Sequence, residues 1–337
     1  MKKQMNKLVK KTEFWVFVII IVLALIIQVI SGAFFTNNNL VDITRSIICP
    51  AMYAICALLA FVSTGGPDVS FPLVAALSSF LAIDIATKIG FEGPWFVIYL
   101  IAMAFGALMG ALNGAIIVKY KFPSLIVTLG TSSLFSGILL GAFEAQRMEL
   151  PAPLLKFGEK NLLTVTNAET GLGAALPMTF LIMVAVYFIA FLVLKYTMVG
   201  RGIYAIGGDE ISAERAGFKV NRIRFGVFVV NGIIAAIAGL SYSVMSMRYL
   251  PNEYAGAEMS VIAAIVLGGT RLTGGVGTLT GCILGTFLLT MVTNSLILVG
   301  ISVYWQKVFI GAIIIIGTAV PLFQNYLANR KAKKEEA

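Results

Sequence analysis

The chain has 337 residues, of which 59% are hydrophobic and only 12% are charged, and its mean hydropathy is +0.93. This balance excludes a water-soluble globular protein, because a soluble surface needs far more charged side chains. The net charge of +9 does not indicate nucleic-acid binding, since basic residues gather at the two ends of the chain beside apolar segments. Basic residues in such positions mark the cytoplasmic side of a membrane protein.

In chain order, the apolar segments predict an all-α, polytopic membrane helix bundle of about ten transmembrane helices, because about 20 apolar residues cross the hydrocarbon core. The first segment has no small-residue cleavage site, so we expect a retained span rather than a signal peptide. The eighth is short and polar, so we expect half a helix or a re-entrant segment. The predicted spans are residues 14–35, 43–62, 69–87, 95–118, 123–143, 177–195, 223–247, 258–270, 276–299 and 302–323.

The predicted topology follows from the span count and the basic ends. An even number of spans places both termini in the cytoplasm, including the basic tail at 324–337. Residues 14–323 then form the bundle of a single transmembrane domain. Residues 144–176 form an extracytoplasmic loop, and residues 197–222 form a cytoplasmic loop.

Glycine spacing predicts close helix packing and broken helices. Two ladders repeat glycine every four residues, which puts a smooth stripe on one face of a helix. Two Gly-Gly breaks, within residues 63–68 and 267–271, interrupt apolar sequence. Such breaks predict backbone that lines a cavity, as in transporters with internal repeats, or simple loop turns. The ladders are Gly106, Gly110, Gly114, Gly277, Gly281 and Gly285.

Several common kinds of chemistry are absent from the sequence. Without histidine, the chain lacks the usual general base and the commonest metal ligand. It also has no GxxxxGK[ST] phosphate loop, so we expect a partner, not this chain, to hydrolyse ATP. Cys49, Cys56 and Cys282 lie in apolar segments without CxxC spacing, which predicts buried free thiols. We therefore expect no enzyme activity, metal or directly bound cofactor.

Polar residues inside the spans are few and mostly neutral. The ionisable candidates Asp68, Asp84, Arg45, Arg248 and Glu258 mostly lie near predicted span ends. Neutral hydrogen-bonding groups suit an uncharged, hydroxylated substrate, although hydrogen bonds between helices explain them equally well. The candidate substrate-pathway residues are Asp68, Ser70, Asn113, Thr128, Asn231 and Asn294.

A charged island at residues 195–224 separates two apolar spans. Gly207 and Gly208 predict a flexible turn, and a short helix follows at about 211–216. We expect Asp209 or Ser212 to cap that helix and Gly217 to end it. A short helix between two spans can transmit force from a cytoplasmic partner, whereas the alternative is a solvated loop. The candidate coupling residues are Gly207, Gly208, Asp209, Glu210, Ser212, Ala213, Glu214, Arg215, Ala216 and Gly217.

The stretch at 200–239 resembles the cytoplasmic coupling loop of bacterial ABC-type permeases for ribose and related simple sugars. In that family a glycine-rich turn precedes a helix of Ala, Glu and Arg, and then a Gly and an Asn-Arg pair. The resemblance covers about residues 45–323. Where the family usually has Gly-Gly-Ile-Asp-Leu-Ser, this chain has Gly65-Gly-Pro-Asp-Val-Ser70 followed by Phe71-Pro72, a difference that bears on the substrate more than on the mechanism. The matching stretches are residues 122–129, 205–208, 213–217, 221–222, 262–270, 274–277, 294–302 and 304–306.

The resemblance implies the permease subunit of an ATP-driven importer in the bacterial cytoplasmic (inner) membrane, which moves a ribose-like monosaccharide by alternating access. It implies an ABC ATPase on the coupling loop, an extracytoplasmic substrate-binding protein, and a second permease copy or a paralogue, all amid membrane lipid. ATP and Mg would bind to the partner ATPase. A nucleoside permease of the same superfamily is the nearest alternative. An ion-coupled secondary carrier is a further one, and would work without ATP.

Overall fold

The computed structural model describes residues 12–166 and 173–306, together with residues 308, 309, 311, 312 and 315. The described part is helical apart from one two-stranded hairpin and short turns, which confirms the predicted all-α bundle. The elements are α1 (Thr12–Ser31), α2 (Asn37–Ser46), α3 (Ile48–Thr64), α4 (Phe71–Lys88), α5 (Trp95–Tyr120), α6 (Ser124–Gly137), α7 (Ala152–Gly158), β1 (Asn161–Thr166), β2 (Gly173–Pro177), α8 (Thr179–Tyr196), α9 (Met198–Gly208), α10 (Glu210–Arg215), α11 (Val220–Ser246), α12 (Ala257–Leu267) and α13 (Leu279–Leu298).

Eight helical segments of the described residues are long and apolar enough to cross a membrane. They are α1, α2 continued by α3, α4, α5, α6 with the π-helical turn that follows it, α8, α11 and α13. The predicted eighth span is α12, which has 11 residues and is about 16 Å long at 1.5 Å per residue, close to half a crossing. The predicted tenth span lies mostly outside the described residues, as do both termini.

Helix α11 is the centre of the bundle and packs along α5, α3 and α4. The first glycine ladder lies at its contact with α5. A Cβ atom on Gly106 would collide with the carbonyl of Gly232, and one on Gly110 would collide with the carbonyl of Phe228. Because these glycines have no side chains, the two backbones come into direct contact.

The second glycine ladder lies where α13 meets the short helix α12. A Cβ atom on Gly281 would collide with the carbonyl of Gly268, and one on Gly285 with the carbonyl of Ala264. The close contact holds α12 against the bundle although it is too short to cross the membrane. Residues of α12, among them Ser260 and Val261, line the cavity described below.

Helix α3 is almost completely buried: of its 17 residues, only Pro50 and Thr64 are partly exposed. It contacts α11, α9, α13, α12 and α8, so it lies inside a ring of other helices. Small residues make this possible, since alanine recurs every three residues at 51, 54, 57 and 60. Consequently α3 has protein contacts along its whole length.

The predicted extracytoplasmic loop contains local structure of its own. It begins with α7, where the Phe157 ring stacks on Trp95 at a centroid distance of 4.0 Å. The β1–β2 hairpin follows, with antiparallel pairing, and β2 packs against α2. This side of the protein is therefore covered by a small folded cap.

Candidate translocation and coupling site

A buried polar cluster surrounds the break between α3 and α4. The Asp68 side chain is only 2% exposed. Its Oδ1 accepts hydrogen bonds from the Ser70 hydroxyl at 2.7 Å and the Ser70 backbone N–H at 2.9 Å. Its Oδ2 accepts one from Asn231 Nδ2 at 3.3 Å, and Ser70 Oγ accepts one from Asn113 Nδ2 at 2.8 Å. The cluster therefore joins the broken segment to both α5 and α11.

The backbone at the break is shaped by its glycines and proline. Gly65 ends α3 in the left-handed region with φ of 67°, which favours glycine. Pro72 lies in the first turn of α4, where its missing N–H costs nothing. Between them, the Val69 backbone N–H donates to Thr128 Oγ1 at 3.2 Å. The break is thus an ordered segment tied to α6 as well.

Two amide oxygens of the cluster have no hydrogen-bond partner, namely Asn113 Oδ1 and Asn231 Oδ1. In the described residues the ion pairs are those of Lys88, Arg224 and Arg248, so Asp68 has no cationic partner there. A carboxyl group inside a membrane bundle without a cation depends on hydrogen bonds for its stability. The cluster consequently depends on all of its members.

A cavity of about 500 Å³ lies beyond this cluster, toward the far end of α11. Tyr242, on its wall, is about 33 Å along α11 from Val220 at 1.5 Å per residue, so the cavity lies across the membrane from the charged island. Its volume is in the range of small-molecule sites. Its polar and aromatic lining includes Arg45, Ser46, Tyr53, Tyr242, Glu253, Tyr254, Ser260, Thr286, Thr290 and Thr293.

The cavity is separated from the polar cluster by an aromatic pair. Tyr53 lines the cavity, and its ring centroid is 5.1 Å from that of Phe71, the residue that follows Ser70. One turn further along α3, the Cys56 carbonyl accepts a hydrogen bond from Asn231 Nδ2 at 3.0 Å. The order along α3 is therefore outer cavity, aromatic pair, and polar cluster.

The C-terminal end of α3 contacts the charged island directly. Gly207 packs against the Val62 carbonyl so closely that a Cβ atom would collide with it. The same carbonyl accepts a hydrogen bond from the Gly275 backbone N–H at 3.2 Å. Arg224 bonds to Glu210 Oε2 at 2.7 Å and to the Ser63 carbonyl at 3.4 Å. The island, the first Gly-Gly break and Gly275 therefore meet at the last turn of α3.

The predicted short helix of the island is confirmed as α10, which covers Glu210–Arg215. The Asp209 side chain caps it by accepting from the backbone N–H groups of Ile211 and Ser212. The Ser212 hydroxyl and the Ser212 backbone N–H, through their hydrogen bonds, hold the pKa of Asp209 below its usual 3.8. Gly217 follows with φ of 90°, so the helix ends as predicted.

One detail of the island was predicted wrongly. Gly207 and Gly208 do not form a flexible turn but belong to α9, whose start is capped by the Thr197 side chain. The absence of a side chain at Gly207 permits its contact with Val62. A tertiary contact thus overrides the local tendency of Gly-Gly to form a turn.

Comparison with known proteins assigns the chain to a protein family. Residues 39–318 match the family described as "Branched-chain amino acid transport system / permease component". The chain belongs to this permease family. It is 31% identical to the ribose import permease protein RbsC of Haemophilus influenzae over 94% of each chain. It is 33% identical to the autoinducer 2 import system permease protein LsrC of Enterobacter sp. over 94% of this chain and 88% of that protein. No solved structure matches the chain.

Membership of the family together with eight apolar helices makes the chain a multi-pass permease of the bacterial cytoplasmic membrane. Five of the six candidate pathway residues lie in or beside the buried cluster: Asp68, Ser70, Asn113, Thr128 and Asn231. The sixth, Asn294, lies apart from them and donates to Ser46 Oγ, on the cavity wall, at 3.0 Å.

Sequence reasoning missed most residues of the permease's outer cavity, including Tyr53, Tyr242 and Tyr254. The signal that points to them is the shortness of α12, since a half-length helix leaves a space beside its neighbours. It also passed over Ile211, which is 63% exposed on α10. An apolar side chain exposed on a short helix between two spans is a feature that partner contacts explain well.

Proposed function

We propose that this permease component imports a small hydroxylated molecule, with a ribose-like sugar as the cargo, in an assembly driven by a separate ATPase. The relatives named for ribose import and for autoinducer 2 import support this proposal. The cavity supports it as well, because tyrosine rings pack against the apolar face of a sugar while serine and threonine hydroxyls bond to its hydroxyl groups.

The observation that carries the proposal is the continuity of α3. This single buried helix lines the outer cavity at Tyr53, contacts the polar cluster at Cys56, and meets the island at Val62 and Ser63. A displacement of the island therefore acts on the cavity through one rigid element. The aromatic pair of Tyr53 and Phe71 closes the passage in the described state, and its separation would open it.

The proposed partners bind at the two ends of the route along α3. The ATPase docks on the exposed face of α10, which presents Ile211, Glu214 and Arg215. Arg224 then transmits the displacement from Glu210 to the end of α3. A substrate-binding protein delivers cargo to the outer side, and a second permease copy or a paralogue completes the assembly. ATP and Mg bind to the ATPase, and this chain needs no cofactor of its own.

The test is uptake into proteoliposomes that contain the permease, its ATPase and its binding protein. We expect radiolabelled ribose to accumulate only with ATP inside, and competition by unlabelled sugars to rank the cargo. Ribonucleosides and autoinducer 2 are the comparison cargoes. Uptake that continues without ATP and follows an ion gradient would contradict the proposal and favour a secondary carrier.

Ile211→Asp tests the docking surface. We expect this variant to lose most of the co-purified ATPase and most ATP-dependent uptake, because the substitution places a charge in an apolar contact. Ile89→Asp is the matched control, since Ile89 is 64% exposed at the opposite end of the bundle. Equal ATPase recovery from both variants would remove α10 as the docking element.

A further inference from the structure

A second groove, unrelated to the cargo route, runs between α8 and α11 on the outside of the bundle. Its volume is about 520 Å³, and its lining is aliphatic along its whole length, with Val186, Ile189 and Val193 on one side and Val230 and Ile234 on the other. The single charged residue of the lining is Arg222. The groove is therefore apolar with one cation.

The cation lies at the cytoplasmic end of the groove. Arg222 is in the first turn of α11, within the island, whereas Ile237 marks the deep end. The 15 residues between them span about 22 Å at 1.5 Å per residue, which is longer than the ~15 Å of hydrocarbon in one bilayer leaflet. The groove is therefore long enough to hold an acyl chain across the whole inner leaflet.

A neighbouring groove provides a place for a headgroup. Arg222 also lines a space of about 410 Å³ together with Lys119, Asn221 and Phe225. Neither Arg222 nor Lys119 forms an ion pair with any carboxylate of the described residues. Lys119 Nζ lies 5.4 Å from the centroid of the Tyr120 ring. Two cations without a carboxylate partner and an amide at the membrane surface are groups that bind a phosphate well.

We propose that an inner-leaflet anionic phospholipid binds here, with one acyl chain in the α8–α11 groove and its phosphate between Arg222 and Lys119. Charge complementarity and the aliphatic lining select this occupant. Val199 and Ile203 of α9 also line the groove, so the lipid bridges the island and the central helix. Anionic lipid is therefore expected to strengthen the attachment of the island to the bundle.

Substitutions test the phosphate contacts and the acyl groove separately. Arg222→Gln combined with Lys119→Gln removes the phosphate contacts, and Arg201→Gln is the matched control because Arg201 is exposed on α9 but lines neither groove. Gly226→Leu fills the acyl groove. A Cβ atom there has nothing within 4 Å, so the fold tolerates the change. Gly130→Leu, at an equally open glycine of α6, is its control.

The experiment titrates the purified full-length permease in detergent with phosphatidylglycerol or phosphatidylcholine, and reads the shift in Tm and the lipid adducts by native mass spectrometry. We expect phosphatidylglycerol to bind about tenfold more tightly, the double glutamine variant to lose that preference, and Gly226→Leu to lose the adduct. Both controls should behave like the parent chain.

Three results would overturn the proposal. Equal binding of the two lipids by the parent chain would exclude the headgroup site. An equal Tm shift with inorganic phosphate alone would indicate a phosphate site without a lipid. Conversion of dimers to monomers by Gly226→Leu, with no lipid adduct in the parent chain, would make the groove a contact between permease copies. None of these measurements depends on cargo or on ATP, so they stand apart from the proposed transport function.

Discussion

Helices α3 and α8 have similar lengths and, as membrane spans, nearly equal hydropathy, yet they occupy opposite environments. The most apolar 18-residue window of the α2–α3 span is 89% buried inside the protein, whereas that of α8 is 17% buried. Hydropathy reports that a segment crosses the membrane, but it does not distinguish contact with lipid from contact with protein. Residue size distinguishes these two environments, because α3 repeats alanine while α8 is rich in Phe, Leu and Val.

The difference has a functional meaning. The buried helix touches the outer cavity, the polar cluster and the island, so it is able to transmit a displacement. The lipid-facing helix borders the apolar groove and leads into the island through α9. One helix thus belongs to the proposed passage and the other to the membrane boundary.

The largest effect on stability is expected from added side-chain volume in the buried helix α3. Ala57→Leu inserts three carbon atoms into the fully buried side of α3 and is expected to destabilise the protein by about 3 kcal/mol, the upper part of the range for overpacked cores. Ala185→Leu makes the same change on an exposed position of α8 and is expected to stay within about 0.5 kcal/mol. Thermal unfolding of the purified variants measures both. Equal losses of stability in the two variants would contradict the difference in burial between α3 and α8.

A smaller effect is expected at the polar end of α3. Asp68→Ala leaves the Ser70 hydroxyl without its acceptor and removes one of the two acceptors of Asn231 Nδ2, the other being the Cys56 carbonyl. The loss costs about 2 kcal/mol for buried groups and should abolish uptake. Asp68→Asn keeps an acceptor for Ser70, while Asn231 loses its bond to residue 68 and keeps the one to the Cys56 carbonyl. We therefore expect partial uptake from Asp68→Asn. The control is Asp84→Ala, which breaks only the surface pair with Lys88. Full uptake by Asp68→Ala would remove the cluster from the mechanism.

The smallest effect is expected at the cap of α10. Asp209→Ala removes the hydrogen bonds to the first turn and is expected to lower the local stability of α10, whereas Asp209→Asn retains most of that stability. The depressed pKa of Asp209 means that the ionised cap stabilises the fold above pH 3.8, its ordinary value, and that this contribution disappears as the pH falls through the lower folded pKa. The protection factors of the amides at residues 210–215, which correct for base-catalysed intrinsic exchange, should accordingly be the same at pH 6 and pH 8, and a marked difference would contradict the assignment.

Local patterns in the sequence predicted the features that depend on local chemistry. Apolar runs located the spans, and Asp209 with Gly217 located the ends of α10, because caps and φ preferences act over a few residues. The sequence did not predict that Gly207 is helical or that Tyr53, Tyr242 and Tyr254 line one cavity. Those features arise from contacts between segments far apart in the chain, which no short window contains.

Among the polar candidates, most lie together in the structure and one does not. Asp68, Ser70, Asn113 and Asn231 were singled out as polar groups in apolar spans, and they do form one hydrogen-bonded cluster. Their roles in transport stay predictions. Asn294 fitted the same criterion but bonds at the cavity wall instead, because polarity alone does not specify the partner of a side chain.

The central claim is that α3 transmits a displacement from the island to the outer cavity, and the native thiol of Cys49 on the cavity wall is a direct probe of it. The measurement is the labelling rate of Cys49 by a membrane-impermeant maleimide in the assembled importer, with and without ATP, with Cys49→Ser defining the background. We predict that ATP changes the rate several-fold in the parent chain and not in Arg224→Gln, which lacks the link between Glu210 and α3. An unchanged rate while uptake proceeds, or an ATP response retained by Arg224→Gln, would contradict the account.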